Sequence, residues 1–229
     1  MGGITGVGGT VIDGGAPSSG GITGASGGTS STGGTASVDG GAGGGTANVD
    51  GGTTPADGGA HRMRLFVTHD KWDGNLLGAA NGADAGGEVT SGLAGGDWLC
   101  QISARGAGLG GNWIAWLSDS HENAIDRLKD VGPWYGLDGV ELFANKAALT
   151  GDPLSAIDVD ERGTLTDYAP WTGTHADGTA TAFTCNDWRS NSPHDYGMCG
   201  YNTSTTDDKW SESVVPQCNN PYNLYCFEQ

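Results

Sequence analysis

Apolar and polar positions show no periodic pattern over the first sixty residues, and the texture changes abruptly at Arg62. From there, Arg64 to Thr68 (RLFVT) is a short apolar run of strand length. Asp70 to Gly87 reads as a loop with Trp72 at its tip. Asp97 is placed to cap a helix running to about Ala107, on which Cys100, Ala104 and Ala107 share one face at helical spacing. Trp113 to Leu117 (WIAWL) is an apolar run that suits a buried strand. Asp119 with Glu122, or Ser120 alone, then caps a second helix whose apolar face is Ala124, Ile125, Leu128 and Val131, and Gly132-Pro133 ends it. Beyond Pro133, short strands alternate with long loops rich in Gly, Asn and Asp. Two helices early and mostly antiparallel short strands later predict a compact α+β domain.

Composition explains the silent first part. Of the 44 glycines, 23 lie in the first 60 residues, which contain no Lys, Arg, Cys or aromatic residue. Such a segment has too little apolar surface to offset the entropy of ordering its backbone, so residues 1–61 are expected to be a disordered Gly/Thr/Ser/Ala linker ahead of one domain over 62–229. GGTASVDGG from Gly33 and GGTANVDGG from Gly44 form a loose repeat. The nine-residue period and large aliphatics of a calcium-binding β-helix are missing, which leaves a flexible tether.

Charge and cysteines narrow the function classes. A net charge of −17 repels phosphate backbones and sulfated polymers, so nucleic acid and heparin-like polyanions are poor partners. Weakly bound surface Ca²⁺ is compatible with this acidity, and no cofactor is predicted. The five cysteines, at 100, 185, 199, 218 and 226, form no CxxC pair, which argues against zinc-ribbon and thioredoxin chemistry and for an oxidising compartment. Met1 to Gly9 lacks the charged start and apolar stretch of an export signal, and no cysteine there offers a lipid anchor; a truncated start would reconcile this with the cysteines. No apolar run reaches the 18 residues that suggest a membrane span.

The stretch from Gly95 to Ser120, GGDWLCQISARGAGLGGNWIAWLSDS, resembles the first helix and following strand of the endostatin family. The resemblance rests on Gly95, Asp97, Trp98 and Cys100, on Ala104-Arg105, on Gly108-Leu109 and Gly111, and on the Trp113, Ala115, Trp116, Leu117, Ser118 strand. Three further blocks follow in the family's order: Leu142-Phe143 with Ala148-Leu149 and Gly151; Trp171 and Gly173, Asp177-Gly178 and Cys185 to Arg189; and Cys218 with Leu224 to Glu228. The family is the C-terminal domain of certain collagens and also occurs in bacterial lipoproteins and secreted proteins. The resemblance implies a C-type-lectin-like α+β fold and a nested disulfide pattern, Cys100 with Cys226 and Cys185 with Cys218. The residues by themselves leave other pairings open. Cys199 has no counterpart in that scheme and reads as a partly buried free thiol. The chain departs from the family in two places. Vertebrate endostatin binds heparin through a basic face, whereas this chain is acidic. Its zinc histidines around the first strand are not reproduced by His61 and His69, so neither property carries over.

Local motifs offer less. His121-Glu122-Asn-Ala-Ile125 begins like a zinc-protease helix but has Ile where the second histidine belongs. Asp158, Asp160 and Glu161 begin like a calcium loop, but Arg162 and Ala169 occupy ligand positions, which leaves a turn with solvated acids. Asn186-Asp187 lacks the surrounding residues of a sugar-binding lectin motif. His194-Asp195 near Cys199 can be drawn as a nucleophile set, but no strained nucleophile elbow accompanies it, and no carboxylate pair stands out for glycoside hydrolysis. Asn202-Thr203-Ser204 fits a glycosylation site. Among the eight tryptophans, Trp98, Trp113, Trp116, Trp171 and Trp188 fall in the family blocks and read as core. Trp72, Trp134 and Trp210 fall in loops. With Asp73, Asp207 and Asp208 they make a candidate ligand-binding set, and the alternative is that the rings cover small satellite cores. The expectation is a monomeric, non-catalytic binding module, extracellular or on a cell surface, for a glycan, an envelope component or a protein. A secreted hydrolase and a purely structural surface protein are the alternatives.

Overall fold

Strand β1 (Met63–Val67) lies at the middle of a five-stranded sheet, in the order β2-β5-β1-β3-β4. In this computed structural model residues 62–83 and 89–229 are described, so the expected linker over 1–61 lies outside the described residues. The other strands are β2 (Trp113–Ala115), β3 (Trp134–Gly136), β4 (Glu141–Phe143) and β5 (Tyr225–Glu228). β1 is parallel to β3, and the remaining pairings are antiparallel. The side chains alternate in direction, yet both directions meet a core. Leu65 and Val67 enter one cluster with Trp116, Trp134, Phe143, Trp210, Tyr225 and Phe227, while Phe66 enters the other with Leu99, Trp113, Trp171, Trp188 and Leu224. A sheet buried on both faces needs continuous apolar strands, which is why RLFV and WIAWL read as runs. Arg64 fastens β1 to β5 at its edge, donating from Nε and Nη2 to the Glu228 carboxylate at 2.7 Å each.

Helix α1 (Leu76–Gly82) occupies the stretch expected to be a loop, and Asn75 caps it by accepting from the Gly78 amide. Trp72 is not at a tip: its amide and carbonyl both bond to Tyr222, each at 2.9 Å, and its ring is half-buried. Helix α2 (Gly92–Gly106) starts five residues before Asp97, with Ser91 as the cap. Glycines in its first turns hid the start because glycine disfavours helix. Here they permit contact: a Cβ on Gly95 would lie 2.7 Å from the Leu76 carbonyl oxygen, and one on Gly92 would lie 2.1 Å from that of Asp187. Asp97 instead accepts from the Ala115 amide and pairs with Arg127. Cys100 and Ala104 are buried as expected, but Ala107 is the exposed C-cap.

The second predicted helix shrinks to the single turn α3 (Ala124–Arg127). Asp119 caps the turn before it through the His121 and Glu122 amides, and Leu128 already has extended backbone. A 3₁₀ turn covers Lys146–Thr150. A fourth helical turn, α4 (Cys185–Trp188), is left-handed, with φ of 49, 54, 56 and 60°. Left-handed backbone costs non-glycine residues roughly 1–2 kcal/mol each, least for Asn and Asp. Asn186 and Asp187 fill the middle; Cys185 is held by a disulfide and Trp188 by its indole bond to the Ser118 carbonyl at 2.8 Å.

Two disulfides join Cys100 to Cys226 and Cys185 to Cys218, with Cα atoms 5.5 and 5.7 Å apart, which is the nested pattern implied by the resemblance. Cys199 is a free thiol, fully buried rather than partly so. Among the described residues no helix is long and apolar enough to cross a membrane.

Candidate functional site

The tryptophan–aspartate set expected to bind a ligand is dispersed. Trp134 and Trp210 are fully buried and donate their indole N–H groups to the carbonyls of Glu228 and Gly151, so they belong to the core. Buried indole nitrogens need such partners. Trp210 packs on Trp116 and Phe143 at ring distances of 5.1 and 5.0 Å. Asp207 is exposed and Asp208 half-buried on a turn beside Trp210, where the Lys209 ammonium sits 3.1 Å from Asp207. Only Trp72 and Asp73 share a groove, of about 430 Å³, with Lys71, Asn75 and Asn191. Both Asp73 oxygens are engaged there, by the Asn75 amide and the Asn191 side chain.

Several sequence motifs take on other roles. Asn202, which opens the match to a glycosylation motif, is fully buried; its side chain bonds to the Ile157 carbonyl, the Thr166 hydroxyl and the Tyr168 amide, out of reach of a glycan. Cys199 does not meet His194. Burial pushes its thiol well above the ordinary range, and Asp195 accepts from Ser190 instead. Asp187 of the Asn-Asp pair accepts from the amide and hydroxyl of Ser120, both at 2.9 Å. Burial opposes its ionisation, but these bonds outweigh it and hold the carboxyl below the usual range. His121 and Glu122 line a shallow cleft of about 490 Å³ with Asp97, Asp119 and Arg127. Arg127 fills the floor of that cleft, donating to both Asp97 oxygens at 2.6 and 2.7 Å and to the carbonyls of Ala115 and Leu117. Among the described residues no group of His, Cys, Asp and Glu is placed to hold a metal ion.

Asp160 and Glu161 depart furthest from expectation. They are buried, not solvated. Asp160 accepts from the Arg162 and Thr164 amides with one oxygen and faces the His69 ring at 2.9 Å with the other. Glu161 accepts from the His69 amide at 2.7 Å. Glu161 lines a cleft of about 350 Å³ with Asp70 and Arg162 on one side and Ile102, Ser103 and Gly106 of α2, with its C-cap Ala107, on the other. Burial is the main force lifting this carboxyl above the usual range.

An apolar surface lies elsewhere. Residues 183–184, 196–199 and 214–217 form a small irregular ladder: Met198 donates to the Phe183 carbonyl, Gly197 to Pro216 and Cys199 to Val214. The register sets Thr184 opposite Gly197, and Tyr196 opposite Gln217. By this register Phe183, Tyr196 and Val215 share one face, and they are 42, 45 and 36% exposed. Val214, opposite Cys199, alternates to the other side of the ladder and is 46% exposed. The Cys185–Cys218 bond closes the end of the ladder. Sequence reasoning missed this face because tryptophan drew attention to itself. The available signal was the large apolar residues Phe183, Tyr196 and Val215 in stretches with no apolar periodicity.

No family model matches the chain, and no curated protein matches it.

Proposed function

We propose that residues 62–229 act as a non-catalytic binding module, extracellular or on a cell surface, of the endostatin-like and C-type-lectin-like kind, with the Gly-rich segment as a linker. The observation that carries the binding role is the exposed face of Phe183, Tyr196 and Val215 on a ladder closed by a disulfide. The two rings offer on the order of 150–200 Å² together, which with Val215 is a patch of about 200 Å². That suits a ligand of a few rings or a short segment, and falls short of the roughly 800 Å² per partner in a standard protein interface. The nested cysteine pairing and the order of the sequence blocks support the family reading, and two disulfides support an oxidising location.

The test is a glycan-array and envelope-fraction screen of the oxidised protein and of a Phe183→Ala/Tyr196→Ala variant with unchanged disulfides and near-ultraviolet circular dichroism. The wild type is expected to retain a ligand and the variant to lose at least about tenfold in affinity, in line with removal of two aromatic anchors. Equal binding by both proteins would remove this face from the proposal. The hydrolase reading is favoured by one feature, the lifted Glu161 carboxyl in a cleft. Turnover of a glycoside or ester panel that disappears in Glu161→Gln would establish it in place of the binding role.

A further inference from the structure

The shape and charge of the exposed face of Phe183, Tyr196 and Val215 narrow what can cover it. In the register of the ladder, Met198 stands between Phe183 on one neighbouring strand and Val215 on the other, and Tyr196 lies two residues along from it. Met198 is on the same side, yet only 6% exposed. The three outer side chains therefore close over it, and its soft thioether fills the floor between them. Strand spacing and rise make this an apolar platform of about 10 by 7 Å, with Phe183 and Tyr196 as diagonal neighbours roughly 7–8 Å apart. Gln217, opposite Tyr196 and exposed, stands at its rim. Its backbone carbonyl is taken by Asn220, while among the described residues its side-chain amide and the Tyr196 hydroxyl have no hydrogen-bond partner.

Charge and size together select the ligand. Residues 183–184, 196–199 and 214–217 include no charged side chain. The neighbouring Asp195 carboxylate is occupied by the Ser190 hydroxyl. An anionic ligand would meet no cation on this face and would be repelled by a chain of net charge −17, and a cationic one would find no carboxylate on the platform. An area of about 200 Å² is a quarter of the roughly 800 Å² that one side of a standard protein interface needs. So small a patch also offsets little conformational freedom, which disfavours a flexible peptide. A small, rigid, uncharged ligand with a flat apolar side and polar edges fits these terms. A pyranose with equatorial substituents has that form. Its axial C–H bonds point to the two ring faces, polarised positively toward the negative face of an aromatic ring, and its hydroxyls project from the edge.

We infer that this face takes an uncharged saccharide of equatorially substituted pyranoses, of the glucose or N-acetylglucosamine type. Phe183 and Tyr196 stack on the C–H faces of its rings, Val215 extends the apolar contact, and the Gln217 amide and Tyr196 hydroxyl bond to hydroxyls at the ring edge. The inference rests on the reading of this face as the binding surface and adds the class of ligand. With no anionic side chain on the platform, the contact is independent of calcium.

The probes are cellotetraose and tetra-N-acetylchitotetraose, with tetragalacturonate and an uncharged proline-rich decapeptide as contrasts. Each is titrated into the oxidised, full-length protein and followed by aromatic ¹H–¹³C NMR, with saturation transfer read on the sugar. The expected result is saturable shifts of the Phe183 and Tyr196 ring signals by at least one neutral tetrasaccharide, with an affinity on the order of millimolar. Saturation should reach the axial ring protons first, and neither a calcium chelator nor salt between about 0.05 and 0.5 M should change the affinity. Phe183→Ala/Tyr196→Ala should lose at least about tenfold, and Gln217→Ala, which leaves the platform intact, about threefold. Ring signals unmoved by both neutral sugars, tetragalacturonate binding as well as cellotetraose, or loss of binding with the chelator would each overturn the inference. Ring signals moved by the decapeptide and by neither sugar would make the ligand a polypeptide, so the saccharide falls while the face stands. The face itself falls if a ligand recovered in the screen binds the double variant as well as the wild type.

Discussion

Single residues of opposite electrostatic character make the sharpest predictions. The Asp187 carboxyl is held low by Ser120, so it contributes stability that is present above its unfolded value and lost as pH falls through its folded value. In acid unfolding curves below about pH 4, Asp187→Asn should close its stability gap to the wild type, and Ser120→Ala should raise the Asp187 titration midpoint in a ¹³C carboxyl NMR experiment. Glu161 has the opposite sign. Its lifted carboxyl contributes stability below its unfolded value that disappears as pH rises through the folded one. Glu161→Gln should therefore be at least as stable as the wild type at pH 7, with the difference closing in acid. This is the expected signature of a residue retained for something other than stability. Cys199, buried and with its thiol pushed up, should resist iodoacetamide at pH 8 in the native protein and react as the single thiol once denatured, as counted by mass spectrometry. At this scale the sequence is a poor guide. Nothing in the text around Trp134 and Trp210 reveals that a carbonyl waits for each indole. Likewise, nothing around Asp160 and Glu161 reveals that His69, about ninety residues earlier, folds over both.

Elements were legible where their cause is local. The apolar runs of β1 and β2 give strands almost where the pattern puts them, because a sheet covered on both faces tolerates no polar interruption. Helix α2 was legible in existence but not in its start, because the glycines that weaken a helix in isolation are what allow it to touch α1 and the left-handed turn. Gly92→Ala should cost several kcal/mol in denaturant unfolding, since its Cβ would meet backbone rather than a movable side chain. The second helix was overestimated: its apolar spacing is real, but Arg127 is drawn across to Asp97 and the chain turns extended at Leu128. Arg127, 6% exposed, satisfies two carbonyls and a carboxylate at once. Arg127→Ala should destabilise by about 2–4 kcal/mol, somewhat reduced by the partial solvation of Asp97, and Arg127→Lys should recover only part because it lacks the planar fork.

At the scale of the whole molecule, the cross-links matter because so much of the chain is loop. Beyond Thr150 the described residues contain only the left-handed turn, isolated bridges and β5, held by loop backbone bonds and the Cys185–Cys218 staple. A separation of 33 residues predicts about 3–4 kcal/mol from that bond and 126 predicts about 4–5 from Cys100–Cys226. Replacing Cys185 and Cys218 with Ser should lower the unfolding midpoint and raise amide exchange in the ladder bearing Phe183 and Tyr196 before it affects β1 and β5. Hydrogen-exchange mass spectrometry reads both. The pairing itself was legible only through the resemblance to endostatin, since spacing alone admits other partners. The parallel β1–β3 pairing had no sequence signal, because register between strands some seventy residues apart is written in packing rather than in either strand.

The placement of β5 between β1 and β2 also has a consequence in time. A ribosome delivers Tyr225–Glu228 after every other described strand, so the sheet stays open through the middle until those residues emerge. Throughout that wait Cys100 has no proper mate, while Cys185 and Cys199 are already available to it. Wrong pairings with Cys199 would then have to be undone, so Cys199→Ser should shorten the lag before correctly oxidised protein accumulates when the chain is synthesised under oxidising conditions, without altering the finished product.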